Sequence, residues 1–179
     1  MHPFRKALLH DRSIALSGDV PDRVVDVLRT LGAQVSKVDP ALANDEEAMS
    51  AWADANRQLD ALVCGEGSEQ PSGEGPLDSI WSVVRAVTAA TFIPDGQGRI
   101  MLVASKEGRR VAAAGLENLA RTLSVEWARF GISTVAVVPG AATSDDQLAQ
   151  LVAFLCSPAG AYYSGCRVDV GLVERQSRT

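Results

Sequence analysis

Few residues of this chain could do chemistry, and the most suggestive is Ser105, which closes the apolar run Gly98 to Ser105, GRIMLVAS. A serine at the end of a buried strand can hydrogen-bond a reacting oxygen, but it needs a base before it becomes a nucleophile. Lys106 is a poor helper, because adjacent residues on a strand project to opposite faces. Lys106, Arg109 and Arg110 form a basic cluster where a phosphate could be met, and solvated loops carry such clusters too.

A second candidate is the turn Ser17-Gly18-Asp19-Val20-Pro21-Asp22, between an apolar run and a helical pattern. A dinucleotide site at such a turn needs glycines for close backbone approach and free N–H groups aimed at the pyrophosphate. Here one glycine is followed by a proline that removes a donor, and two carboxylates flank the place of the anion. The favoured reading is a capped structural helix, with Asp19 or Asp22 satisfying its first turn and Pro21 presetting the backbone. His2 and His10 lack a metal-ligand or catalytic pattern. Asp45, Glu46 and Glu47 complement a helix dipole, and Trp52, Trp81 and Trp127 fall on helical patterns as packing anchors.

The elements that must position these residues alternate between strand and helix, the pattern of a parallel sheet covered by helices. Strands are expected at Ser13 to Ser17, Ala33 to Val38, Ala61 to Cys64, Ile100 to Ala104, Ser133 to Val138 and Arg167 to Val170. Their unbroken Val, Ile, Leu and Ala content implies burial on both faces. Helices are expected from Asp22 to Leu31 with Gly32 as the stop, from about Asp45 to Gln58, from Leu77 to Phe92, from Arg110 to Phe130 and from Asp145 to Leu155. Asn44 or Asp45 should cap the second, with Met49, Trp52 and Ala53 on its inner face. Gly65 to Pro76, rich in Gly, Pro and Ser, reads as a surface loop.

At 179 residues and 46% hydrophobic content the chain, residues 1–179, is expected to form one domain. A net charge of −5 offers no positive field for nucleic acid or an anionic membrane. No run approaches the roughly 18 apolar residues of a membrane span, and the first residues lack a signal-peptide pattern, so a cytoplasmic protein is expected. Cys64, Cys156 and Cys166 have no CxxC spacing, and the first two sit in apolar runs as buried reduced thiols do; neither a metal site nor a disulfide framework is expected.

With these segments in place, the chain resembles the short-chain dehydrogenase/reductase family along nearly its whole length. IALSG and GAQVSKVD are similar to its opening nucleotide-binding unit, LDALVCGEG to its Asn-Asn-Ala-Gly strand end and RIMLVAS to the strand of its catalytic serine. AAAGLENLARTLSVEWARFGISTVAVVPG resembles the following helix and the strand ending in Pro-Gly, and FLCSPAGAYYSGCRVDVG the closing helix and strand. The resemblance implies a Rossmann-like three-layer αβα sandwich, an α/β fold with a mostly parallel sheet of about six strands. The family's third, edge strand and its substrate lid have no space here. It also implies a crevice above Gly18, Asp39, Gly65, Pro139 and Gly140, with Ser105 as the remnant of catalysis. Asp39 corresponds to the ribose-binding acid and is equally suited to capping a turn.

Family catalysis uses a Tyr four residues before a Lys, the Tyr as acid and base and the Lys lowering its pKa. The two tyrosines here, Tyr162 and Tyr163, are followed at that spacing by Cys166 and Arg167. By the resemblance the Lys position falls at Ala113 and the Tyr position near Arg109. Ala has nothing to titrate and Arg stays protonated. The lysines are Lys6, Lys37 and Lys106, so a substitute pair would have to be assembled by distant residues. The family dimerises through helices corresponding to those around Trp81 and from Arg110 to Phe130.

The expectation is therefore a non-catalytic protein without a cofactor, a structural or regulatory subunit paired with itself or with a full-length short-chain dehydrogenase, as homo-oligomer or hetero-oligomer. Two alternatives stand beside it. One is an NAD(P)-dependent oxidoreductase with a site rebuilt around Ser105, Pro139 and Gly140; the other is a small-ligand sensor using the residual crevice.

Overall fold

Six short apolar runs become six parallel strands in the computed structural model, which describes residues 7–67, 75–106 and 110–171. They are β1 (Ser13–Gly18), β2 (Gln34–Lys37), β3 (Ala61–Gly65), β4 (Gly98–Val103), β5 (Ile132–Pro139) and β6 (Cys166–Val170). The sheet order is β2-β1-β3-β4-β5-β6, every neighbouring pair parallel. β1 to β5 lie within two residues of the expected segments, and β6 begins one residue early. Nothing in the described chain pairs beyond β2, so this strand is an edge, as expected from the space available after Asp39.

The helices are α1 (Asp22–Thr30), α2 (Glu46–Ala55), α3 (Pro76–Val87), α4 (Ile93–Asp95), α5 (Arg110–Glu126) and α6 (Asp145–Cys156). α1 and α6 cover one face, where Val24, Leu28, Leu148 and Val152 meet Ile14, Val63, Met101 and Val137. α2, α3 and α5 cover the other, where Met49, Val84, Leu116 and Leu123 meet Ala15, Leu62, Leu102 and Ala136. The alternation of Cβ directions along each strand divides its residues between these two cores. Met49 and Ala53 are fully buried and Trp52 partly so, as their spacing implies. Asp45 caps α2, accepting the Ala48 N–H at 2.9 Å. Gly32 stops α1 at φ +97°, donating its N–H to the Arg29 carbonyl.

The helix expected to run unbroken from Leu77 to Phe92 instead widens into a π-turn at Thr88–Phe92 before α4. Pro94 follows directly, and a proline ring needs the carbonyl four residues back out of its way, which a widened turn supplies. α5 ends at Glu126, and Ala128–Phe130 continue as a 3₁₀ turn. Residues 140–144 alone link β5 to α6, so no lid intervenes. Among the described residues no helix is long and apolar enough to cross a membrane. Residues 68–74, most of the expected Gly65 to Pro76 loop, lie outside the described chain.

Candidate functional site

The chain leaves β1 toward β2 on one side, while β3 lies on the other, so the strand order switches between Gly18 and Gly65. In open parallel sheets that point, at the carboxyl ends of the strands, is where ligands bind. Here the two glycines bring backbone onto backbone. Gly18 has φ +71°, and a Cβ built on it would stand 2.1 Å from the Gly65 carbonyl oxygen. A Cβ on Gly65 would stand 2.2 Å from the Asp19 carbonyl oxygen. The turn tightens further through the Val20 N–H, which donates to the Gly18 carbonyl at 3.1 Å.

The expected capping by Asp19 or Asp22 is not what the structure has. Pro21 itself is the N-cap residue of α1, where a side chain able to accept a hydrogen bond is missing, rather than the first helical residue. Asp22 is drawn instead to Lys37 at the end of β2, 2.9 Å away, and this hydrogen bond and positive charge hold its carboxyl below the usual value. Asp39 takes the other role open to it and accepts the Ala41 N–H at 2.9 Å, capping the 3₁₀ turn Pro40–Asn44.

Ser105 follows β4, and its N–H donates to the Glu66 carboxylate at 2.9 Å. Glu66 is 8% exposed and donates its own N–H to the Val103 carbonyl. Sequence reasoning passed over Glu66; the available signal was a carboxylate between two glycines directly after a buried strand. Lys106, read from the sequence as part of a basic cluster that could meet a phosphate or lie in a solvated loop, reaches Asp145 at the start of α6 with 2.5 Å between Nζ and Oδ1. Arg109 and the side chain of Arg110 lie outside the described residues. Pro139 is buried, and Gly140 is pinned to β6 by its N–H on the Val170 carbonyl at 2.9 Å. The Thr143 hydroxyl donates to the same carbonyl. The structure thus joins Gly18 to Gly65 and Ser105 to Glu66, anchors Pro139 and Gly140 to β6, and commits Asp39 to a turn.

The tyrosines fall at the opposite edge of the sheet. Tyr162 ends the 3₁₀ turn Pro158–Tyr162 that follows α6, and Tyr163 comes directly before the segment that enters β6. Gly165 donates to the Thr134 carbonyl near the start of β5, which fixes this segment at the amino-terminal edge. A strand of such length separates it from the carboxyl edge by roughly 17 Å. Tyr162 is 92% exposed, and Tyr163 meets the Phe154 ring edge-on at 5.7 Å. Ala113 packs its methyl group against the core between the sheet and α2, α3 and α5. His10 has Asp11 2.6 Å from its Nδ1, with both side chains exposed.

No family model matches the chain, and no curated protein sequence does either. Solved structures do. A citronellol catabolism dehydrogenase of Pseudomonas aeruginosa PAO1 superimposes with a TM-score of 0.77 at 23% identity, covering 94% of this chain and 96% of its own. A hydroxysteroid dehydrogenase from Escherichia coli gives 0.73 at 17% identity, with 92% and 97% covered. A protein of Beutenbergia cavernae assigned as an NAD(P)-dependent gluconate 5-dehydrogenase, with NADP bound at low occupancy, gives 0.72 at 20%, with 92% and 97% covered. The chain shares the fold of these dehydrogenases, in its own case with six parallel strands between two helical layers.

Proposed function

We propose that this chain is a catalytically silent protein of the short-chain dehydrogenase type that acts by association, as a structural or regulatory subunit paired with a second copy or with an intact dehydrogenase in the cytoplasm. The carrying observation is the separation of the two tyrosines from Ser105 by the length of the sheet, with the two described lysines, Lys37 and Lys106, each held by an aspartate. Proton transfer to a substrate at Ser105 needs a group within hydrogen-bond reach, and neither tyrosine has it. The turn at Gly18 also does not fit a dinucleotide. Its glycine is in close contact with Gly65, Pro21 removes a backbone donor, and Asp19 adds a carboxylate directly after the glycine.

The association surface is the outer side of α3 and α5. Trp81 is 40% exposed and stacks on Trp127 with 6.3 Å between ring centroids, and Val111 and Val125 are exposed on α5. A solvent-facing indole of this kind is a characteristic anchor of protein interfaces. The second reading, an NAD(P)-dependent enzyme, draws on the NADP in one matched structure and on the buried Glu66 carboxylate beside Ser105.

Fluorescence titration of the purified protein with NADH and NADPH, paired with sedimentation velocity, separates the two. The expected result is no saturable binding of either cofactor and a dimer that Trp81→Glu converts to monomer. Saturable binding with substrate-dependent oxidation of the bound cofactor would replace this reading with the second. In the presence of a full-length dehydrogenase, native mass spectrometry distinguishes self-pairing from hetero-pairing by subunit mass.

A further inference from the structure

At the amino-terminal edge of the sheet, remote from the crevice, the starts of β1, β3, β4 and β5 surround a cavity of about 420 Å³ lined by Arg12, Asp60, Arg99, Ser133, Ala128 and Ala161 among others. Two guanidinium groups and one carboxylate line it. Asp60 accepts from Arg12 Nη1 at 2.5 Å on one oxygen and from the Ser13 N–H at 2.8 Å on the other, so both its oxygens are occupied. Arg99 lies in register with Ser133 on the neighbouring strand and directs Nη1 to the last carbonyls of α6, Cys156 at 2.9 Å and Ser157. These bonds use only Nη1 of each arginine, leaving Nε and Nη2 of both without a partner among the described residues.

Among the residues lining this cavity the two arginines exceed Asp60 by one positive charge, in a recess that is partly out of water. Burial first, and the charge of Arg12 second, hold the Arg99 guanidinium below its usual value, against the opposing pull of Cys156 and Asp60. The size of the excess selects the anion. Beyond Asp60 an adjoining cavity of about 290 Å³ is lined by Asp11 and Asp95, whose charges oppose a second negative charge. Guanidinium groups offer paired donors that match the two oxygens of a carboxylate. Ala128 and Ala161 give the rest of the ligand an apolar wall.

We infer that this cavity binds a small organic monocarboxylate, its head group held between Arg12 and Arg99 and its body against Ala128 and Ala161. The site is independent of the crevice, so it stands or falls separately from the reading of the chain as catalytically silent.

The test is an amide chemical-shift titration of the whole protein with butyrate, with butyramide as the uncharged isostere and inorganic phosphate as the competing oxyanion. Butyrate is expected to move the Gly98, Gly131 and Ser133 amides saturably, and butyramide to leave them in place. Arg12→Gln should weaken binding about tenfold. Ser133→Glu, which puts a carboxylate into a half-exposed position of the cavity and leaves the arginine contacts intact, should abolish it with an unchanged amide spectrum elsewhere. Equal response to butyrate and butyramide, unaltered binding in Ser133→Glu, or tighter binding of phosphate than of butyrate would each overturn the assignment.

Discussion

Gly18→Ala and Gly65→Ala are each expected to lower stability by about 3 kcal/mol or more in urea denaturation followed by circular dichroism, while Gly67→Ala stays within about 0.5 kcal/mol of the parent. For Gly18 two costs add. Its φ of +71° disfavours any side chain by roughly 1–2 kcal/mol. The new Cβ would also stand 2.1 Å from the Gly65 carbonyl oxygen, an atom locked into the parallel ladder between β1 and β3. For Gly65 the conformational cost is absent, and the clash with the Asp19 carbonyl at 2.2 Å acts alone. In each case relief requires moving a strand end rather than turning a side chain. Around Gly67 no atom of the described residues would lie within 4 Å of a Cβ, so the same substitution probes the loop without the contact. With typical domains stable by about 5–15 kcal/mol, the first two losses are a large share of the whole. A Gly18→Ala variant as stable as the parent would mean that the strands are not closed on each other, and the case for a ligand in the crevice would be restored.

That contrast bears on function as much as on stability. A glycine at this turn serves a dinucleotide by letting backbone amides approach phosphate. Gly18 lets one strand end approach another, so its lack of a side chain is required by packing whatever else the turn does. Lys106 has a structural use too, its amine tying the end of β4 to the start of α6.

The fold was legible because its signal is local. Runs such as Ala61-Leu62-Val63-Cys64 and Ile100-Met101-Leu102-Val103 are buried on both sides, and the gap between Asp39 and α2 left no length for another strand. For the site, local spacing could show only that no Tyr stands four residues before a Lys, which is a property of the sequence itself. What escaped depends on partners far apart in the chain. Lys106 and Asp145 are 39 residues apart, Arg12 and Asp60 48, and Arg23 and Asp146 123, distances over which no periodicity carries information. Pro21 escaped for a different reason. Proline is most familiar at the first helical position, but here it sits one residue earlier, with ψ 139°, so the carboxylates beside it are released from capping and Asp22 pairs across to β2. The π-turn before Pro94 was hidden likewise, because apolar spacing continues across it while the hydrogen-bond ladder does not.

Stability is expected to fall steeply above pH 9 because of two thiols. Cys64 in β3 and Cys156 at the end of α6 are both buried, and burial pushes each up to about 12 from an ordinary value of 9.0. For Cys156 the positive charge of Arg99 works against this and Asp60 with it, leaving burial in command. A raised folded-state value means that the folded chain keeps protons the unfolded chain has lost. The contribution is therefore intact below pH 9 and is lost as pH rises from 9 toward 12. At pH 10 each thiol accounts for about 1.4 kcal/mol, together about 3 kcal/mol relative to pH 7. Urea denaturation at the two pH values should register this difference in the parent, and the Cys64→Ala/Cys156→Ala double variant should lose most of it. The variant starts from a lower baseline, since Cys156 gives up its contact with the Met101 sulfur at 3.7 Å, so the comparison is the pH difference within each protein. All other groups titrate alike in both, and identical alkaline losses would show that the thiols are not the cause. Alkylation gives the kinetic counterpart: at pH 8 iodoacetamide should modify the half-exposed Cys166 promptly and reach Cys64 and Cys156 only at the rate of unfolding.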